Sequence, residues 1–264
     1  MIRIIQLADL HFGTEDPGAM DTAAAMILDT APDALMICGD LTQRGKRSEF
    51  EAAREWLDQF PVPKLTVPGN HDTPLLNAVS RVSRPFSRYS RYFADISGPV
   101  DVSMWRAAGL NSARGWQARS NWAEGAVNIA QLSMVLDEIG QRPGILVCHH
   151  PLKPPATAPL RTRTRRGRRA SRAVASSPVR LVLSGHVHGA AADLHTYPGG
   201  AYLNLTAGTL STRLREGKPS FNVITLAKDH IVAVAHRGGH TSFDARTLGV
   251  WRMDPDDPAV LERV

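Results

Sequence analysis

Apolar and polar positions along the first 72 residues repeat in a fixed order of strand, polar cluster and helix. Ile2 to Leu7 is a short apolar run that closes on Asp9-Leu10-His11. Met20, Ala23, Ala24, Ile27 and Leu28 follow at helical spacing, and Ala34 to Cys38 reads as a second strand ending at Gly39-Asp40. Phe50, Ala53, Trp56, Leu57 and Phe60 share one face of a helix over residues 49–60. A third strand, Leu65-Thr66-Val67, closes on Pro68-Gly69-Asn70-His71-Asp72. The clusters recur roughly every 30 residues, the length of one βαβ unit. Parallel strands of such units end at one edge of the sheet, where open α/β sheets bind ligands, so the three clusters are expected to converge.

The middle of the chain is less regular. Residues 81–93 place Phe86, Tyr89 and Phe93 at helical spacing beside Arg84, Arg88 and Arg91. An amphipathic helix packed on the domain has this pattern, and so does a platform for stacking bases. A strand over 100–110 ends at Asn111-Ser112, residues 131–139 read as a helix, and Gly144 to Cys148 is a strand ending at His149-His150. The strand Val179 to Leu183 ends at Gly185-His186-Val187-His188, and later strands fall at 201–206, 221–226 and 231–236, the last two as a hairpin. The Pro- and Arg-rich stretch 152–172 is expected to be a loop, and the chain from about residue 238 a polar tail. With no repeat and no clear linker, residues 1–264 are expected to form a single domain.

Composition narrows the class without naming a function. An apolar content of 43% and a charged content of 21% are those of an ordinary soluble protein. No run approaches the roughly 18 apolar residues of a membrane span, and the N-terminal run is too short for a secretory signal, so a cytoplasmic location is expected. Cys38 and Cys148 lie in apolar strand runs and are read as buried thiols, not a disulfide framework. The net charge of +6 is local: residues 161–172 hold seven arginines and no acid, and without them the chain would carry −1. The basic balance therefore belongs to one segment, either a solvated loop or a lid that steers an anionic substrate.

Six of the ten histidines fall in the strand-end clusters, together with Asp9, Asp40 and Asn70. Asp9 and His11, like His186 and His188, are two apart and face one side if the backbone is extended. Imidazole mixed with carboxylate suits first-row divalent ions such as Mn, Fe, Zn, Co or Ni, whereas an all-oxygen set would favour Mg or Ca. The absence of thiolates from the set argues against a structural zinc site. Two metals about 3.5–4 Å apart need a bridge, a role that a carboxylate fills well.

Asp9-x-His11, Gly39-Asp40, Gly69-Asn70-His71-Asp72, His149 and Gly185-His186-x-His188 together resemble the five-block signature of the calcineurin-like metallophosphoesterase superfamily. The resemblance implies an α/β fold, a four-layer α/β/β/α sandwich of two mixed sheets flanked by helices. It implies one metal held by Asp9, His11, Asp40 and His188, and a second held by Asp40, Asn70, His149 and His186, with Asp40 as bridge. A metal-bound hydroxide would attack phosphorus in line. His71 matches the histidine that contacts the phosphate or protonates the leaving group, and Asp72 is expected to orient it. His150, facing opposite to His149 on a continuing strand, is read as packing.

Gln43 stands where purple acid phosphatases carry a metal-binding tyrosine. Gly-Asp-Leu-Thr with Gly-Asn-His-Asp is more similar to the bacterial cyclic-nucleotide and glycerophosphodiester phosphodiesterases than to protein phosphatases. The expected activity is hydrolysis of a small anionic phosphodiester. Alternatives are a nuclease, using the arginine run on a nucleic-acid backbone, a nucleoside-diphosphate-lipid pyrophosphatase, and, from another class, a non-catalytic scaffold.

Overall fold

The computed structural model describes residues 1–74, 78–116, 123–157, 162–215, 217–254 and 260–264. Its elements are β1 (Ile2–Leu7), α1 (Pro17–Thr30), β2 (Ala34–Ile37), α2 (Arg47–Asp58), β3 (Lys64–Thr66), α3 (Ala78–Ser83), α4 (Ser87–Phe93), β4 (Val100–Val102) and β5 (Trp105–Leu110). There follow β6 (Gly125–Ala126), α5 (Ile129–Ile139), β7 (Gly144–Cys148), β8 (Thr164–Arg165), α6 (Gly167–Ala175) and β9 (Val179–Ser184). The chain closes with β10 (Ala191–Tyr197), β11 (Gly200–Thr206), β12 (Ser220–Leu226), β13 (His230–Gly238), β14 (Phe243–Met253) and β15 (Leu261–Arg263).

Two mixed sheets carry the site. The first has the order β15-β14-β13-β12-β1-β2-β3, the second β10-β11-β9-β7-β5-β4. In the first, β1, β2 and β3 run parallel; in the second, so do β5, β7, β9 and β11. Strand alternation then sorts the apolar side chains into three layers. Ile4, Met36, Ile145, Val147, Leu181 and Leu203 meet between the sheets. Ile5, Leu7, Leu35 and Ile37 turn outward onto Met20, Ala23 and Ile27 of α1 and Phe50 and Leu57 of α2. Leu146, Cys148 and Val182 turn the other way, onto Leu132 of α5 and Val174 of α6. The result is the expected helix–sheet–sheet–helix sandwich, and the helices begin where their caps place them: Asp16 accepts from Ala19 N and precedes Pro17, and Asn128 accepts from Ala130 N.

Several sequence expectations need correction. The helix expected over 81–93 is two helices, because Pro85 lies between them and cannot continue the hydrogen-bond ladder. Tyr89 and Phe93 are buried against Phe50, so this segment packs on α2 and offers no stacking platform. The strand over 100–110 is a hairpin of β4 and β5. The stretch 152–172 is not all loop: β8 pairs with β6, and α6 buries Ala170, Ser171 and Val174 while Arg168, Arg169 and Arg172 face outward. Arg161, the first of the run, lies outside the described residues, as do 158–160. From residue 238 the chain is no tail, since β14 and β15 extend the first sheet and Trp251 and Met253 enter the core between the sheets. Residues 255–259 of that segment lie outside the description. Both cysteines are buried and unbridged. Among the described residues, no helix is long and apolar enough to cross a membrane.

Candidate metal centre

All five clusters come together at the carboxyl edge of the two sheets. Asp9 and His11 follow β1, Asp40 follows β2, Asn70 and His71 follow β3, His149 follows β7, and His186 and His188 follow β9. Main-chain bonds stitch the loops to one another: Asp9 N to Gly39 O at 3.0 Å, His11 N to Asp40 O at 3.0 Å, and Gly185 N to His149 O at 2.9 Å. The expected reason for the pairing of Asp9 with His11 and of His186 with His188, one face of an extended strand, does not hold. Each of these four residues has positive φ (55°, 47°, 73° and 56°), as does Asp40 at 52°. The strands have already ended, and left-handed turns swing the side chains inward. Such conformations are uncommon outside glycine and concentrate where the surrounding structure holds them for function.

Two glycines make room. Gly39, at φ +78°, begins the turn that presents Asp40. A Cβ on Gly69 would lie 2.0 Å from Asp40 Oδ1 and 2.3 Å from its main-chain nitrogen, so only glycine lets the third loop press against that carboxylate.

The donor atoms form overlapping groups, Asp9/His11/His188, His11/Asp40/His71 and Asp9/Asp40/His149, each with ligand atoms within 4.8 Å of one another. His11 Nε2 and His188 Nε2 are 3.2 Å apart, and Asp9 Oδ1 is 3.8 and 3.3 Å from them. Asp40 Oδ2 lies 3.8 Å from His11 Nε2 and 3.4 Å from His149 Nε2, and Asn70 Oδ1 is 3.1 Å from the latter. His186 stands against His149, with ring centroids 5.2 Å apart.

These contacts suit a bound cation. His188 Nδ1 lies 2.6 Å from Arg213 O and His149 Nδ1 lies 2.8 Å from Cys38 O. A carbonyl only accepts, so both Nδ1 atoms carry a proton, which leaves Nε2 of each ring as the atom that would face a bound cation once its own proton is displaced. Asp9 Oδ1, wholly buried in that centre, has no hydrogen-bond partner. Oxygen and nitrogen lone pairs packed this closely need positive charge among them. Burial alone would suppress the His149 imidazolium, yet Asp40 and Asp9 outweigh it and lift its pKa to about 9. The same field favours a divalent ion, and the donor set is the imidazole–carboxylate mixture that first-row divalent metals take.

The other polar residues divide. His71 N donates to Asp40 Oδ1 at 2.8 Å, and its Nδ1 lies 2.8 Å from Gln43 O. The expected orienting role of Asp72 is not what the geometry supports. Its carboxylate accepts instead from Leu41 N, Thr42 N, Thr42 Oγ1 and Gly69 N at 2.8–3.2 Å, tying the second and third loops together. His150 is satisfied on both nitrogens, by Ser112 Oγ at 3.0 Å and Ala123 O at 2.9 Å, and burial pushes its pKa down to about 3. It is a neutral packing residue. Arg44 is exposed, and among the described residues only its main-chain nitrogen makes a hydrogen bond, to Glu49.

A cleft of about 190 Å³ opens over the centre, lined by Asp40, Asn70, His71, His186, His188, Arg213 and Arg215 with Ala123, Glu124 and Thr162. A larger one, about 540 Å³, lies at the opposite edge around Trp105, Pro143 and Pro178, far from these ligands. Chemistry, not size, marks the site. Arg213 carries no motif in the sequence, because it sits in the irregular segment between β11 and β12, beyond the last histidine block; two arginines two positions apart are its only mark there.

Residues 2–190 match the family described as calcineurin-like phosphoesterase. A probable cyclic nucleotide phosphodiesterase of a Synechococcus strain is 27% identical over 200 residues, covering 71% of this chain and 73% of that protein. The glycerophosphodiester phosphodiesterase GpdQ of Enterobacter lignolyticus is 26% identical over 138 residues, covering 49% of this chain and 45% of that protein. Among solved structures, a dimetal phosphatase from Danio rerio has a TM-score of 0.62 at 15% identity, covering 94% of this chain and 99% of its own. A purple acid phosphatase from yellow lupin (Lupinus luteus) seeds has a TM-score of 0.67, also at 15% identity, covering 93% and 53%. The two structures agree on the fold, and the matched region of residues 2–190 contains all five of the His, Asp and Asn clusters. The chain belongs to the calcineurin-like phosphoesterase family and is a metal-dependent phosphoric ester hydrolase.

Proposed function

We propose that this chain hydrolyses a small phosphodiester, of the cyclic-nucleotide or glycerophosphodiester kind, at a centre for two divalent cations. Asp9, His11, Asp40 and His188 would hold one cation, and Asp40, Asn70, His149 and His186 the other. The observation that carries this reading is the placement of Asp40, whose Oδ2 is within 3.8 Å of His11 Nε2 on one side and 3.4 Å of His149 Nε2 on the other. A single carboxylate between two sets of lone pairs is what a bridging ligand requires. When bound, a pair of such cations lowers the pKa of water and offsets charge on the phosphoryl oxygens.

The chain's own residues do the rest. His188 and His149 are locked in one tautomer by Arg213 O and Cys38 O, which fixes their rings toward the centre. His71, tethered through Nδ1 to Gln43 O, turns Nε2 into the cleft 3.2 Å from Arg213 Nη1, so a phosphoryl or leaving-group oxygen would meet the two groups together. The names of the matched relatives support a diester, and the modest size of the cleft supports a small one.

A nuclease is the second reading, and one observation favours it. Thr162 lines the cleft, and the exposed Arg163, Arg165, Arg166, Arg168, Arg169 and Arg172 lead away from it with no acid among them. Such a row could follow a nucleic-acid backbone. One panel decides: cyclic nucleotides, glycerophosphodiesters, single-stranded DNA and nucleoside-diphosphate lipids offered to the purified protein with Mn²⁺. Turnover of a cyclic nucleotide or glycerophosphodiester is expected; turnover confined to DNA would reverse the order.

A further inference from the structure

The geometry points to Arg213 as the residue that grips the substrate's phosphoryl oxygen from outside the metal ligands, with Arg215 as a weaker second contact. Its backbone and its side chain are held very differently. Arg213 O takes the His188 Nδ1 proton at 2.6 Å and Arg213 N donates to Ser211 Oγ at 3.2 Å, within a segment further anchored by Thr209 Oγ1 on Asp9 O. The Cα is thereby fixed beside the metal ligands. The guanidinium, by contrast, uses one of its nitrogens: Nη1 donates to Gln43 Oε1 at 2.9 Å and lies 3.2 Å from His71 Nε2. Among the described residues it has no carboxylate partner, and Nε and Nη2 make no hydrogen bond.

A half-buried guanidinium lining a phosphate-sized cleft, unpaired by any acid and left with most of its donor fork, is arranged to receive an anion. Its present partners show where. Nη1 caps the same His71 nitrogen that the substrate is read as meeting, so a phosphoryl oxygen arriving there meets the arginine at once. Gln43 completes the device, because its neutral amide holds the arginine in place without neutralising it. An acid at position 43 would cancel the charge. Arg215 lines the same cleft but is exposed, so water competes for its charge and its contribution is smaller.

This inference rests on the reading of the cleft as a phosphoesterase site, and binding of inorganic phosphate separates the two. Protein purified with Mn²⁺ would be titrated with phosphate by calorimetry, with bound metal per chain measured on the same samples, for the wild type, Arg213→Ala, Arg213→Lys and Arg215→Ala. We expect unchanged metal content throughout, because the anchor of His188 is the main chain of Arg213. Phosphate affinity should fall about 10- to 100-fold in Arg213→Ala, and only a few-fold in Arg215→Ala. Arg213→Lys should recover part of the loss, since a lysine supplies charge without the planar fork. Phosphate bound as tightly by Arg213→Ala as by the wild type would overturn the assignment, and so would a loss of affinity that merely tracked a loss of metal. A protein that binds phosphate through Arg213 yet cleaves no diester would instead sink the proposed function and leave this inference standing.

Discussion

At the scale of single residues, the site depends on backbone that the side chains alone do not announce. The sequence displays the ligand types, since Asp, Asn and His gather only where apolar runs stop. It does not display φ, and the left-handed turns at Asp9, His11, Asp40, His186 and His188 are what aim those side chains. The neighbouring glycines are the legible trace. Gly69→Ala would drive a methyl group into Asp40, against main chain as well as carboxylate, so the third loop must retreat. Metal content of that variant should drop with a loss of activity of at least about a hundredfold, while far-ultraviolet circular dichroism stays native; a variant that keeps both metal and activity would refute this role. Away from the site, His195 offers a pH-dependent counterpart. Burial, then Lys153, push its pKa down to about 4, below the ordinary 6.5. The unfolded chain takes up a proton that the native state refuses, so stability present above about pH 6.5 is lost as pH falls toward 4. Thermal melts at pH 7.5 and 5 should show His195→Gln shedding less stability than the wild type, by about 1–2 kcal/mol once its partial exposure is allowed for. Equal losses would assign the acid sensitivity elsewhere.

Elements were most readable where burial on both faces made the apolar runs continuous, as in β1, β2, β7 and β9. Legibility failed at the periphery. β14 exposes most of its Phe243–Leu248 half, and the register shift at Ala233/Val234 interrupts its pairing with β13, so no clean alternation marks it. α6 was hidden for a different reason: its arginines look like a solvated loop until Ala170, Ser171 and Val174 are seen on one face. That helix is also poorly built electrostatically. Arg168 and Arg169 sit in its first turn, where the peptide dipoles favour negative charge, and Arg168 is four residues from Arg172. Arg168→Glu should therefore stabilise the protein, by about 0.5–1 kcal/mol, read as a rise in melting temperature. A fall would show that the arginine is held by contacts outside the described residues. If the arginine row also steers anions, the same substitution should weaken the salt dependence of kcat/KM.

At the scale of the whole molecule, the centre is a clasp between two sheets. Asp9, Asp40 and Asn70 come from strands of the first, His149, His186 and His188 from strands of the second, and Arg213 from the segment that passes from one to the other. The family match ends at residue 190, yet β12 lies between β1 and β13 in the middle of the first sheet. We accordingly take residues 1–264 as one structural unit, because removing the later strands would strip β1 of a partner. The βαβ order and the convergence of three loops were readable from the sequence; that a second sheet closes over them followed only from family resemblance, since periodicity carries no information about which sheets face each other. The two-cation reading predicts that each half of the clasp is indispensable. The most direct test is hydrolysis of bis-p-nitrophenyl phosphate with added Mn²⁺ by His149→Ala, which removes a proposed ligand of the second sheet and leaves Asp9, His11 and His188 intact. A fall of at least about a thousandfold in kcat is predicted, with a folded protein that has lost part of its metal; undiminished hydrolysis would contradict the account.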